Sequence, residues 1–373
     1  MATGWVWHER YMWHDSRSFA DWAPPEALFE PEPSVESPQT KRRLMNLVHA
    51  SGMSSHLTWL EPQPAGVEQI QALHTPDYVA RVRELSAGDG GSAGEVTPFG
   101  PGSYEIALLA AGGCITAVDA VLDGRVRNAY ALVRPPGHHA EIPNGRGYCL
   151  FGNTAIAALH ARRSREIERV AIVDWDVHHG NGTEDAFYRD PSVLTISLHQ
   201  DGLYPEDRGA VGDNGAGDGE GFNLNVPLPA GSGRAAYEHA FGEVVLPAQD
   251  AFGPQLILVA SGLDASWGDP DGRMTLTPDC FARLTRMLMQ AADRLCDGRL
   301  ALIHEGGYST VAVPYCGLAI LEELTGHRTG VPRDAMVSGN PETKPLHQHE
   351  REAVAAAAAN LARNPGLGAA GTG

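Results

Sequence analysis

Cysteine is scarce: Cys114, Cys149, Cys280, Cys296 and Cys316 are the only 5 in 373 residues, and no Cys-x-x-Cys pair occurs. This excludes a disulfide-stapled scaffold and a thiolate-rich zinc site. Basic residues are also in deficit, 28 Lys plus Arg against 46 Asp plus Glu, for a formal net charge of -18 at pH 7. Such a balance argues against a broad surface for nucleic acid or anionic membrane. No uninterrupted apolar run reaches the roughly 18 residues of a membrane span, and Met1 to Arg10 lacks the basic-then-apolar pattern of a secretory leader. The expectation is cytoplasmic residence, with no nucleic-acid or membrane partner.

What is present is an ordinary globular composition, 43% hydrophobic and 20% charged. The chain reads as a single catalytic domain over 1–373, with a Pro-rich surface loop at 23–38 and a flexible Gly-rich tail at 366–373. Near-continuous apolar segments at 129–133, 169–175, 192–198, 255–260 and 301–304 suit strands covered on both faces. Helical patterns at 40–50, 76–84, 104–122, 153–163, 233–250, 278–295 and 353–359 fall between or after them. That alternation predicts an open α/β sheet. Trp5, Trp7 and Trp13 form an aromatic N-terminal cluster expected to anchor in the core.

Polar residues gather just beyond the carboxyl ends of these strands, the edge at which open parallel sheets bind ligands. His138 and His139 follow one strand and a Pro-Pro-Gly turn; Asp174, Asp176 and His178 end the next; Asp264 and Tyr308 follow two later ones. Asp176 and His178, two residues apart, project from one face of extended backbone, and Asp264 completes an Asp, His, Asp set suited to Zn²⁺. Asp174 is placed to orient His138 through a carboxylate, and Asn181 to orient His139 through a neutral amide. The two imidazoles should therefore differ in proton affinity. His139 can take a proton from an attacking water, and Tyr308, in Glu305-Gly-Gly-Tyr308, can donate to a developing oxyanion. The chemistry this set suits is zinc-dependent amide hydrolysis.

Pro135-Pro-Gly-His-His139, Asp174-Trp-Asp-Val-His-His-Gly-Asn-Gly182, Ser197-Leu-His199, Gly262-Leu-Asp264 and Glu305-Gly-Gly-Tyr308 stand in an order that resembles the histone deacetylase and acetylpolyamine amidohydrolase superfamily. The likeness is to its bacterial class II members, the histone deacetylase-like amidohydrolases, and covers at least residues 3–326. The resemblance implies an arginase-deacetylase-like three-layer α/β fold with a central, mostly parallel eight-stranded sheet. It implies zinc on Asp176, His178 and Asp264, the histidine tandem His138 and His139, and Tyr308 at the transition state. It also implies structural K⁺ at Asp174, Ser197, Leu198 and the Asp176 and His178 carbonyls, with a second site at Phe187, Asp190, Val193 and Phe222.

Its substrate would be an acylated amine or peptide, acetyl-lysine-like first and acetylpolyamine or another small amide as alternatives. The tunnel would be lined by Gly147, Tyr148, Tyr204 and Gly306, with Asp89 at the rim. Tyr148 and Tyr204 stand where relatives commonly have phenylalanine, and Gly152 replaces an asparagine. The resemblance further implies a homodimer or homotetramer. Two other classes frame the reading. A two-metal guanidino hydrolase needs a second Asp-x-Asp cluster, whereas the acids of Gly262-Leu-Asp-Ala-Ser-Trp-Gly-Asp269 stand five apart. A non-catalytic acyl-ligand binder would have no use for Tyr308 and two histidines.

Overall fold

A computed structural model of the chain describes residues 2–18, 28, 30–333, 344–363 and 367. Its centre is one eight-stranded sheet: β1 Thr3–Val6, β2 Leu57–Leu60, β3 Asn128–Ala131, β4 Val170–Asp174, β5 Val193–Gln200, β6 Asn223–Leu228, β7 Leu256–Ser261 and β8 Leu300–His304. The spatial order is β6-β5-β4-β7-β8-β3-β1-β2, and every pairing is parallel.

Period-two alternation sorts the strand side chains into two cores. Ala171 and Val173 of β4 join one apolar cluster, while Val170 and Ile172 join the other. Helices Gln39–Ala50, Pro278–Leu295 and Ala312–Thr325 cover the first face; Pro76–Ala87, Ser103–Leu122 and Asn153–Ser164 cover the second. The result is three layers, and truncating a fully buried strand residue such as Ile172 to Ala should cost about 2–5 kcal/mol. Ser103–Leu122 is long and apolar enough by composition to cross a membrane, yet here it is largely buried against the sheet. Its Gly112 approaches the 63–65 backbone so closely that a Cβ would fall 1.8 Å from the Gln63 carbonyl.

Helix starts follow local chemistry. Thr75 and Thr277 accept from the N–H groups of Tyr78 and Cys280, with Pro76 and Pro278 in the first turn of each helix. The predicted 233–250 helix is instead an α-helix, Arg234–Ala240, a π-helical turn, Phe241–Val245, and a second α-helix, Leu246–Phe252. The C-terminal helix runs Gln348–Arg363, longer than its Ala-rich stretch. Of the N-terminal tryptophans, Trp5 is fully buried but Trp13 is 63% exposed, so the cluster is not a single core anchor. The described part of the Pro-rich segment is exposed at 30–33 and turns inward to bury Glu36. The rest of that segment, and the tail apart from Leu367, lie outside the described residues.

Strand order positions the site. From β4 the chain moves outward through β5 to β6, then returns to β7, beside β4, and continues on the other side to β8. The boundary between β4 and β7 is thus a switch point, where a crevice opens at the carboxyl ends of the strands. Register brings those ends level: Asp174, Ala260, Ile303 and Ala131 form one row across four neighbouring strands.

Candidate active site

Asp176 and His178 leave the end of β4, and Asp264 leaves the end of β7, on the two sides of the switch point. One ligand atom from each lies within 4.8 Å of the others, and all three residues are buried. His178 Nδ1 is 3.0 Å from Asp176 Oδ1 and 3.5 Å from Asp264 Oδ2. Backbone donors fix the carboxylates: Val177 N–H donates to Asp264 Oδ1 (2.8 Å) and Gly306 N–H to Asp176 Oδ2 (2.9 Å). Gly306 leaves no room for a side chain, since a Cβ there would fall 2.0 Å from Asp264 Oδ2.

Asp264 Oδ2 is buried without a hydrogen-bond partner. Burial and then the neighbouring Asp176 push the Asp264 carboxyl up to about 7, whereas the surrounding histidines outweigh burial at Asp176 and hold it below the carboxylate range. A buried pair of carboxylates with an orphaned oxygen and an imidazole is a donor set that a divalent cation satisfies. Zn²⁺ fits it. A second buried group, His138, Cys149 and Glu305, fits less well. Burial pushes the Cys149 thiol up, and Glu305 already accepts from Gly137 N–H (2.6 Å), His138 N–H (3.1 Å) and Thr154 Oγ1 (2.9 Å).

The histidine tandem extends from the turn after β3. His138 Nδ1 lies 2.9 Å from Asp174 Oδ2, and His139 Nδ1 lies 2.6 Å from Asn181 Oδ1. Asn181 Nδ2 donates to the His139 carbonyl (3.2 Å) and to Glu141 Oε1 (2.9 Å), which orients the amide with its oxygen toward the ring. With the amide oxygen toward the ring, His139 Nδ1 is the donor of that bond and Nε2 is left without a proton. Burial disfavours charge on both rings. At His138, Asp176 and Asp174 overcome it and raise the group to about 10; at His139, burial and the charge of His138 hold it well below the ordinary value.

A cavity of about 250 Å³ opens above the metal-site residues, lined by Val96, His139, Gly147, Tyr148, His178, Leu203, Tyr204, Asp271 and Tyr308. Tyr148 and Tyr308 meet edge-on with centroids 6.2 Å apart, and Tyr204 stands edge-on to His139 at 5.1 Å. Gly147 is required here: its φ is 51°, and a Cβ would fall 2.5 Å from the His139 ring. Asp89 is exposed and is not among the lining residues; its carbonyl accepts from Arg17. His304, at the end of β8, is buried with Nδ1 on the Tyr130 hydroxyl (2.9 Å).

Of the remaining sequence candidates, Ser197 Oγ is 2.9 Å from His199 Nδ1 and shares a gap of about 10 Å³ with Asp174. Leu198 follows it in β5. The carbonyls of Phe187, Asp190 and Phe222 accept from Asp190, Val193 and Thr195 N–H groups, and that of Phe222 also accepts from Thr195 Oγ1 (3.5 Å).

Three acids have structural roles that the sequence does not disclose. Asp269 Oδ2 accepts from Tyr308 N–H (2.9 Å) and Ser309 N–H (3.0 Å), fixing the tyrosine loop. Asp271 presents a carboxyl to the cavity, and Glu305 ties the turn of the histidine tandem to the end of β8. Asp269 and Asp271, one and three residues past Trp267-Gly268, carry no local signature, and Glu305, although part of the Glu305-Gly-Gly-Tyr308 run, meets the histidine turn only through the fold.

A model of the histone deacetylase domain matches residues 34–324. The chain is 47% identical over 332 residues to the histone deacetylase-like amidohydrolase of Pseudomonas aeruginosa, covering 88% of this chain and 87% of that one. It is 38% identical over 329 residues to the polyamine deacetylase HDAC10 of Homo sapiens, covering 83% of this chain and 46% of the relative. Among solved structures, the HDA15 HD domain superposes with a TM-score of 0.85 at 33% identity, covering 98% of this chain and 96% of that one. With the parallel eight-stranded sheet and the buried Asp, His, Asp cluster at its switch point, these matches assign the chain to the histone deacetylase family of amidohydrolases, with their arginase-deacetylase-like fold.

Proposed function

We propose that the chain is a zinc-dependent hydrolase that removes the acyl group from an N-acyl amine, with acetyl-lysine-like substrates first. The observation that carries this is the unpartnered Asp264 oxygen beside Asp176 and His178, beneath a cavity that His178, His139 and Tyr308 line. Zinc held by these three residues would supply Lewis acidity toward a substrate carbonyl and an attacking water. His139 Nε2, free because Asn181 fixes the other tautomer, takes the proton of that water. His138, whose proton affinity Asp176 and Asp174 raise, stabilises the negative charge that accumulates. The Tyr308 hydroxyl donates to the carbonyl oxygen as it becomes anionic. An imidazole then protonates the departing amine, while Gly147, Tyr148 and Tyr204 enclose the substrate and Gly306, outside the cavity lining, holds the Asp176 carboxylate.

A panel of an acetyl-lysine peptide, an acetylated polyamine and an aryl acetamide, with product identification, tests the reaction. Ester cleavage with no amide cleavage would count against it, and no turnover by zinc-loaded protein would favour a non-catalytic binder.

A second substrate reading has its own support. Asp271 is an acid on a wall that carries no Lys or Arg, and among the described residues its carboxyl has no ion pair. A carboxylate there suits a substrate with a second, cationic amine, as in an acetylated polyamine, and one relative bears the name of a polyamine deacetylase. Structural K⁺ at Asp174 and Ser197 and at the 187–222 carbonyls, cytoplasmic residence, a single catalytic domain and assembly into a dimer or tetramer belong to the same proposal.

A further inference from the structure

The cavity wall is built from backbone that does not hold its shape unaided. Val96, Gly147 and Tyr148 all line it, and all three adopt positive φ: 49°, 51° and 65°. For a β-branched valine and a bulky tyrosine this left-handed conformation is costly, so surrounding contacts must impose it. Part of the constraint is backbone pairing: Gly94 and Glu95 lie in register with Gly145 and Arg146, Gly147 N–H donates to the Glu95 carbonyl (3.0 Å) and Tyr148 N–H to the Val96 carbonyl (2.9 Å).

The other part is Arg146. Its side chain, only 13% exposed, places Nε 2.7 Å from Glu95, Nη1 3.3 Å from Glu141 and Nη2 2.8 Å from Asp207. Those acids come from three different loops. The same guanidinium sits 5.6 Å from the centroid of the Tyr204 ring, which also lines the cavity and packs beside Gly147. Glu141 also accepts from Asn181, the residue that sets the His139 tautomer.

We propose that Arg146 is the specificity-determining clamp of the acyl-amine cavity: by joining three loops and bracing Tyr204, it holds the left-handed wall at a width that admits a slender chain. Planar, multidentate pairing is what a guanidinium offers and an ammonium does not. Arg146 touches no reacting atom, so it is a positioning residue. Its effect should appear in which substrates enter rather than in the chemistry, and the inference rests on the amide-hydrolase reading of this cavity.

The experiment compares the zinc-loaded wild-type chain with Arg146→Met and Arg146→Lys, using a linear N-acetylalkylamine and a branched aryl analogue. Amide hydrogen exchange is followed over 94–97, 145–149 and 201–208. Arg146→Met should keep its metal, raise exchange at Gly147 and Tyr148 by about 10-fold, and cut the linear-to-branched ratio of kcat/KM by about 10-fold, mainly through KM. Arg146→Lys should fall between. Because Glu95 and Asp207 are half exposed, about 1 M salt should lower the wild-type ratio and leave that of Arg146→Met unchanged.

Unchanged exchange at 147 and 148, or an equal loss of kcat on both substrates with the ratio intact, overturns the clamp. Should Arg146→Met not fold, Arg146→Lys and the wild-type salt series carry the comparison. Should the wild-type chain cleave neither amide, the reaction reading fails, and the ratio of binding affinities for the two amides, with the exchange data, still decides the clamp.

Discussion

The bond between His139 Nδ1 and the Asn181 side-chain oxygen leaves Nε2 as the nitrogen for the proposed base, and it depends on an amide whose own orientation two further acceptors fix. Three replacements separate the roles that follow. Tyr308→Phe should lower kcat by about 10²-fold or more with little change in KM, since its hydroxyl matters most as oxyanion charge develops. His139→Ala should abolish turnover with metal retained, whereas Asp264→Ala should lose the metal first. Elemental analysis and turnover on the same preparations distinguish them; full activity of Tyr308→Phe at full occupancy would remove the tyrosine from the mechanism. Asp271→Asn should raise KM for an acetylated polyamine by about 10-fold and leave an uncharged acetylalkylamine unaffected; equal effects on both would show that Asp271 does not read charge. The residues legible in the sequence were those in contiguous runs, from Pro135 to His139 and from Asp174 to Gly182. Asp269, Asp271 and Arg146 were not, because their partners come from other loops and no local pattern marks an acid or arginine that acts through a distant one.

At the level of elements, the strands that hold the site were legible because burial on both faces makes them continuous apolar runs. The sheet's margins were not. Edge strand β6, Asn223–Leu228, alternates Asn with apolar residues and contains Pro227, which only an edge tolerates. β1 and β2 are four residues each. Equally hidden was the anchor beneath the histidine turn, where Glu36 pairs with Arg134 (2.8 Å) and Lys41 (3.2 Å), all fully buried. Burial by itself would push the Glu36 carboxyl up, but Arg134 and Lys41 outweigh it and hold it well below the carboxylate range. A carboxylate so depressed contributes stability that is present above its unfolded value of about 4.3 and is lost as pH falls below it. Glu36→Gln should therefore destabilise the chain by about 3 kcal/mol at neutral pH. In chemical denaturation its deficit should narrow as pH falls from about 7 to about 3; a constant deficit would place the stabilisation elsewhere.

For the whole molecule, four adjacent strands deliver residues more than 160 positions apart, from His138 to Tyr308, to one cavity floor. The net charge of -18 favours cationic substrates at long range, and among the described residues that line the cavity Asp271 is the acid above the metal-site cluster. Assembly is a separate matter: light scattering over a concentration series should give two or four times 39.8 kDa, and a constant 39.8 kDa would contradict the proposed oligomer. The claim on which the rest depends is a single zinc centre that hydrolyses an amide. Titrating metal-free protein with Zn²⁺ while following deacetylation of an acetyl-lysine peptide and an acetylated polyamine tests it most directly. Turnover should rise linearly and level off at one equivalent per chain. A plateau only at two equivalents, or no amine released at full occupancy, would contradict it.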